Sequence, residues 1–295
     1  MTIATTIIAG KARSKTTKTA ESALQISNFL IPGPLGSIPV RLYRPQGNTV
    51  LPVVLYFHGG GFISGSLDDA DVTARFIARN SNALVLSVGY ALAPAKPFPA
   101  APEDAYAAMV WVGKNAGSIN ADASRLAVAG DDAGGNLATC LTLIARDRNA
   151  QPILAQALIG PMLDPSMTRL GDAERLDSDL TPQECANCYR QYLPMSLQRL
   201  HPYAAPLESR RLGGLAPAFI ATAEHDVLHV EAEKYATALI SVGVPTQVAR
   251  FAGVKHASLH EHAPALVEIA EFLRRRLAMP SELKLPVFEP EEPHA

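Results

Sequence analysis

The sequence predicts an α/β protein whose central sheet is mainly parallel, with helices on both faces and a helical insertion. Two observations carry that expectation. Short, β-rich apolar runs alternate with longer amphipathic stretches, the order of strand–helix–strand units. Two of those runs, "LPVVLYF" (51–57) and "ALVLSV" (83–88), are almost wholly apolar, as strands buried on both faces are.

In chain order, residues 1–30 read as a mobile segment able to contribute to a lid. The first twenty carry Lys11, Arg13, Lys15 and Lys18 among threonines and no acid. The apolar run at 3–9 precedes those bases, the wrong order for a secretory signal. A single domain then spans 31–278. "SIPVRLY" (37–43) alternates like a half-exposed strand. After 51–57 and 83–88, strands follow in "RLAVAG" (125–130), "AQALIG" (155–160), "PAFIAT" (217–222) and "TQVARF" (246–251). Helical patterns fall at about 69–80, 100–117, 133–148, 229–243 and 263–278. Residues 162–213 interrupt the alternation, and a helical insertion of that size is a candidate lid. Residues 279–295, rich in proline and glutamate, read as a loose tail.

Composition narrows the function. Hydrophobic residues make up 48% of the 295, enough for a sizeable core. A net charge of −2 points away from nucleic acid. No apolar run approaches a membrane span. The expected setting is the cytoplasm, the expected partner a small-molecule substrate, and a homodimer is compatible with the sequence. Three cysteines, Cys140, Cys185 and Cys188, do not make a disulfide framework, and C-A-N-C lacks a second ligand pair. Asp226, His229, His256, His260 and His262 contain no H-E-x-x-H. No metal and no cofactor is expected.

Two stretches carry chemistry. "RLAVAGDDAGGNLA" (125–138) is a strand, a glycine-bracketed turn and a helix, the layout of a nucleophile elbow. Its centre is Asp132 rather than serine. "YFHGGGFISGS" (56–66) follows an apolar strand, and glycines there let backbone N–H groups face a cavity. Gly59 and Gly60, with Ala133 after the elbow, are expected to form an oxyanion hole.

From about residue 31 to 277 the chain resembles the hormone-sensitive-lipase group of α/β-hydrolases, the acetyl-esterase-like enzymes. The resemblance rests on His58–Phe62 (H-G-G-G-F), "YALAPAKPFPAAPEDAY" (90–106), "GDDAGGNLA", "APAFIATAEHDVL" and "FAGVKH". It implies the α/β-hydrolase fold and a catalytic set of residue 132, Asp226 and His256. The acid holds the imidazole in one tautomer. Glu103 and Asp104 match a family-typical pair, read as structural. His225, His229, His260 and His262 are expected at the surface or the lid edge. Phe62, Tyr189 and Tyr192 are candidates for substrate contact. The chain departs from the family at Asp132, at Asn187 and Cys188, where bulky aromatics are common, and in "GVKHAS", where the histidine is usually followed by Gly-Phe.

Three readings of Asp132 compete. An ester hydrolase of small acyl esters has an altered nucleophile position, with turnover weak or lost. Serine and aspartate codons differ by more than one base, so no single change makes the swap. Alternatively, Asp132 is a working nucleophile, as in haloalkane dehalogenases and epoxide hydrolases on the same broad fold. Those enzymes usually carry an aromatic after the nucleophile, where this chain has Ala133. A third reading is a non-catalytic protein that binds a small ligand. Ester chemistry weighs against turnover through Asp132. Carboxylate is the better leaving group from a tetrahedral adduct, so the adduct reverts.

Overall fold

The structure, a computed structural model, describes residues 24–279. Eight strands form one sheet: β1 (Leu24–Gly33), β2 (Gly36–Pro45), β3 (Leu51–Phe57), β4 (Leu84–Val88), β5 (Ala121–Asp131), β6 (Ala155–Ile159), β7 (Ala218–His225) and β8 (Thr246–Lys255). Their order is β1-β2-β4-β3-β5-β6-β7-β8. β1 and β2 pair antiparallel, as do β2 and β4, and the remaining pairs are parallel. The helices are α1 (Asp71–Asn80), α2 (Ala100–Asn115), α3 (Ala133–Asp147), α4 (Ala173–Leu176), α5 (Pro182–Tyr192), α6 (His229–Ser241), α7 (His256–Leu259) and α8 (Ala263–Leu277).

Alternation along each strand divides the core between two faces of the sheet. Val53, Leu55 and Phe57 of β3 join α2, α3, α6 and the insertion, while Val54 and Tyr56 join α1 and α8. Every residue of β3, β4 and β6 is buried, which is why these strands read as continuous apolar runs.

One boundary differs from the sequence reading. Residues 24–30, placed there in the loose N-terminal segment, belong to β1, which pairs with β2 from Leu24↔Pro45 to Gly33↔Gly36. β1 is an edge strand in which only Ile31 is fully buried, so its hydrophobic period is weak. The earlier part of that segment, and the tail beyond Met279, lie outside the described residues. Between β6 and β7 the chain forms α4, α5 and two short 3₁₀ turns. α5 starts at a Thr181–Glu184 capping box with Pro182 at its first turn.

This topology positions the site. β3, β5, β7 and β8 run parallel, so the loops after them emerge at one end of the sheet.

Candidate active site

The turn between β5 and α3 is the elbow. Asp132 has φ 50° and ψ −117°, a conformation that side chains rarely adopt. Backbone hydrogen bonds hold it there: Asp132 N–H donates to Ile159 O at 2.9 Å, and Met162 N–H to Asp132 O at 3.1 Å. The flanking glycines are steric requirements. A Cβ on Gly134 would collide with the backbone oxygens of Phe57 and His58, and one on Gly130 with those of Gly134 and Phe57. Asn136 braces the turn by donating to Met162 O at 2.8 Å and Ala204 O at 3.1 Å.

The Asp132 carboxylate lies against the glycine loop after β3. Its Oδ2 accepts from Gly60 N–H at 2.9 Å and Gly61 N–H at 2.7 Å. The N–H groups that meet this carboxylate are therefore those of Gly60, which the sequence reading named with Gly59 and Ala133 for an oxyanion hole, and of Gly61, which it did not name. The loop's handedness decides this, because Gly60 and Gly61 have φ 107° and 59°. No hydrogen bond joins Gly59 or Ala133 to the carboxylate among the described contacts. Gly59 has a steric role, since a Cβ there would meet Asp131 Oδ2 and sit 3.3 Å from Asp132 Cβ. Ala133, the first residue of α3, is fully buried.

The "YALAP" stretch supports the glycine loop from behind. Tyr90 stacks on His58 with ring centres 4.3 Å apart, and its hydroxyl donates to His58 O at 2.8 Å. His58 Nδ1 lies 2.8 Å from Gly59 O, and burial lowers the pKa of its imidazole. Asp104, buried in α2, accepts Ala91 N–H at 2.9 Å, while Glu103 pairs with Arg148. The Glu103–Asp104 pair thus serves structure.

Asp226 directly follows β7 and is fully buried. Its Oδ1 accepts Leu228 N–H at 2.8 Å, and its Oδ2 lies 2.8 Å from His256 Nδ1. His256 follows β8, and its Nε2 is 3.9 Å from Asp132 Oδ1. That is an ion-pair distance, beyond a hydrogen bond. Burial acts to lower the His256 pKa, but Asp226, with Asp132 and Asp179 adding to it, holds it up at about 9. The imidazolium is thus the form that this acidic setting favours.

A cavity of about 480 Å³ opens over this group, lined by Gly59, Gly60, Asp132 and His256 and by Asp69, Asp131 and His260. His260, expected at the periphery, therefore faces the site. Tyr56 donates to Asp131 Oδ1 at 2.7 Å, and burial raises the Asp131 pKa. Phe62, Tyr189 and Tyr192, proposed from sequence as substrate contacts, are all buried and none lines this cavity. Phe62 stacks on Tyr192 with ring centres 3.9 Å apart, and Tyr189 tilts against it at 6.0 Å. They form the packing between the glycine loop and α5. Trp111 lies on α2 against Phe29. Among the described residues no group of three or more His, Cys, Asp or Glu side chains is arranged to hold a metal ion. No helix there is long and apolar enough to cross a membrane.

A family model of the α/β-hydrolase fold matches residues 54–260, from β3 to just past His256. The chain belongs to that family. As an α/β-hydrolase it is 43% identical over 220 residues to carboxylesterase NlhH of Mycobacterium tuberculosis, a match covering 72% of this chain and 69% of that protein. It is 38% identical over 257 residues to an ethyl acetate hydrolase of Pseudomonas putida, covering 82% and 79% respectively. Among solved structures, a hyperthermophilic esterase from the archaeon Pyrobaculum calidifontis superposes with a TM-score of 0.80 at 38% identity, covering 86% of this chain and 84% of that one. A thermostable carboxylesterase cloned from a metagenomic library gives 0.84 at 35%, covering 88% and 92%. The scaffold of this α/β-hydrolase is that of a carboxylesterase.

Two features of the site escape the sequence. Gly61 was legible only as part of a glycine run. Asp179, which contacts the histidine loop, is 77 residues from His256 and carries no motif.

Proposed function

We propose that this protein is a carboxylesterase scaffold for small acyl esters in which Asp132 stands in the nucleophile's place and holds ester turnover low. One observation carries the reading. Asp132 Oδ2 already accepts the Gly60 and Gly61 N–H groups. In acyl transfer those donors would stabilise the oxyanion of the tetrahedral adduct. The carboxylate imitates that oxyanion, so an ester carbonyl must compete with a built-in anion for the same donors. His256 and Asp226 keep the base–acid arrangement, their Nδ1–Oδ2 separation being 2.8 Å.

With serine at 132, the hydroxyl would be activated by neutral His256, attack the acyl carbon and leave both donors free for the oxyanion. Asp132→Ser is therefore expected to raise hydrolysis of short p-nitrophenyl esters on the order of 10³-fold or more. A folded serine variant that binds such esters but hydrolyses them no faster than the parent would defeat this reading.

A further inference from the structure

The insertion between β6 and β7 does more than border the site: it grips the histidine loop. Asp179 lies between α4 and α5, and its carboxylate spans two consecutive backbone donors. Its Oδ1 accepts His256 N–H at 3.0 Å and its Oδ2 accepts Ala257 N–H at 3.2 Å. Neighbouring contacts fix the same segment. Leu176 O is 2.6 Å from His225 Nδ1, Asp177 pairs with Lys255 at 3.0 Å, and Gly171 N–H donates to Val227 O at 2.8 Å. The insertion thus touches the chain on both sides of the Asp226–His256 pair.

We propose that Asp179 is a positioning residue for His256: its carboxylate seats the His256 backbone and so sets where the imidazole stands over residue 132. The imidazole's only side-chain hydrogen-bond partner among the described residues is Asp226, at Nδ1. That bond alone leaves the ring free to swing about its Nδ1 end. Fixing the backbone N–H groups at residues 256 and 257 removes that freedom. The carboxylate also acts through charge. The groups facing His256 are Asp226 after β7, Asp131 and Asp132 at the elbow, Asp69 and His260 across the cavity, and Lys255, Asp177 and Asp179 around its backbone. Asp179 is among the carboxylates that raise the imidazole pKa, and Lys255 is paired by Asp177.

The proposal rests on the esterase reading only for its kinetic arm. Its deciding measurement is an NMR titration of the His256 imidazole in the full chain, which needs no turnover. Removing the charge with Asp179→Asn should favour the neutral ring and move the midpoint down by roughly half a pH unit. Asp177→Asn, which deletes a nearby charge without touching the two amides, should move it less than half as far. In the Asp132→Ser chain, Asp179→Asn should lower kcat at its alkaline plateau by roughly threefold to tenfold with KM unchanged, and shift the acidic limb downward. Asp179→Glu keeps the charge and displaces the amides, so it should lower kcat while keeping the midpoint near the parent value. A purely structural tie would lower the unfolding midpoint alone. The proposal is overturned if Asp179→Asn leaves the imidazole midpoint in place, if Asp177→Asn moves it as far, or if Asp179→Glu in the Asp132→Ser chain leaves kcat unchanged. If Asp132→Ser shows no ester turnover, the esterase reading fails, and the titration still decides whether the Asp179 carboxylate acts on the imidazole.

Discussion

A carboxylate at position 132 reaches farther than a serine hydroxyl, and the site has donors where it arrives. Two N–H groups converge on Oδ2, and the imidazolium of His256 faces Oδ1 at 3.9 Å. Charge-assisted hydrogen bonds of this kind stabilise by roughly 1.5–3 kcal/mol each before the cost of partial burial. Asp132→Ser is therefore expected to lower folding stability at neutral pH by about 1–2 kcal/mol while raising ester hydrolysis. Urea denaturation of the two chains tests this, and an unchanged or raised midpoint in the serine variant would contradict it. Asp132, Asp226 and His256 were legible in the sequence because each sits in an ordered motif at the end of a strand. Of the two donors, Gly60 was legible and Gly61 was not. Which N–H groups of His58–Phe62 face the elbow depends on φ 107° at Gly60 and 59° at Gly61, which a run of three glycines does not specify. Nor could residue type separate Phe62, Tyr189 and Tyr192 from a substrate pocket, since aromatics that pack on one another look the same in sequence.

At the scale of elements, legibility follows burial. β3, β4 and β6 are buried throughout and announce themselves as apolar runs. β1 does not, because as an edge strand it buries one residue. β5 and β8 extend past the apolar runs that marked them. β5 starts at Ala121 through the polar, half-buried Asp122 and the exposed Ser124, and β8 ends at Lys255 through the exposed, small Ala252 and Gly253. Neither stretch shows an apolar alternation. The elbow is the junction on which the site depends. A Cβ at Gly134 would lie 2.5 Å from His58 O and closer still to Phe57 O, both rigid backbone atoms at the end of β3. Gly134→Ala must push α3 away from β3, and an expected loss of about 3 kcal/mol or more follows from overpacking at a site that cannot relax. Gly117→Ala is the control, because a Cβ there meets nothing within 4 Å. It should stay within about 0.5 kcal/mol of the parent. Chemical denaturation of the pair decides the matter, and equal stability of the two variants would show that the elbow tolerates a side chain.

Across the whole molecule, the buried and paired histidines give stability a defined pH dependence. His256 has its pKa raised from 6.5 to about 9 in the folded state, burial being outweighed by the carboxylates around it. A group raised in this way contributes stability that is fully present below its unfolded pKa. That contribution is lost as pH rises through the folded pKa, so the loss falls between about 6.5 and 9. His58 and His229 are shifted the other way, chiefly by burial. Their folded forms resist protonation, so their contribution is present above the unfolded pKa and disappears as pH falls below it. Taken together, the histidines contribute most to stability near pH 6–7, and His256 supplies the alkaline limb of that contribution. The limb's full height is on the order of 3 kcal/mol from the shift of His256. His256→Gln keeps a polar side chain but cannot titrate, so it should flatten the fall in unfolding midpoint between pH 6.5 and 9. Asp132→Ser removes one of the charges that favour the imidazolium and should flatten it in part. The measurement is a series of thermal or urea midpoints from pH 5 to 9.5 for the three chains. An alkaline limb that survives unchanged in His256→Gln would mean that the imidazolium is not held between Asp226 and Asp132.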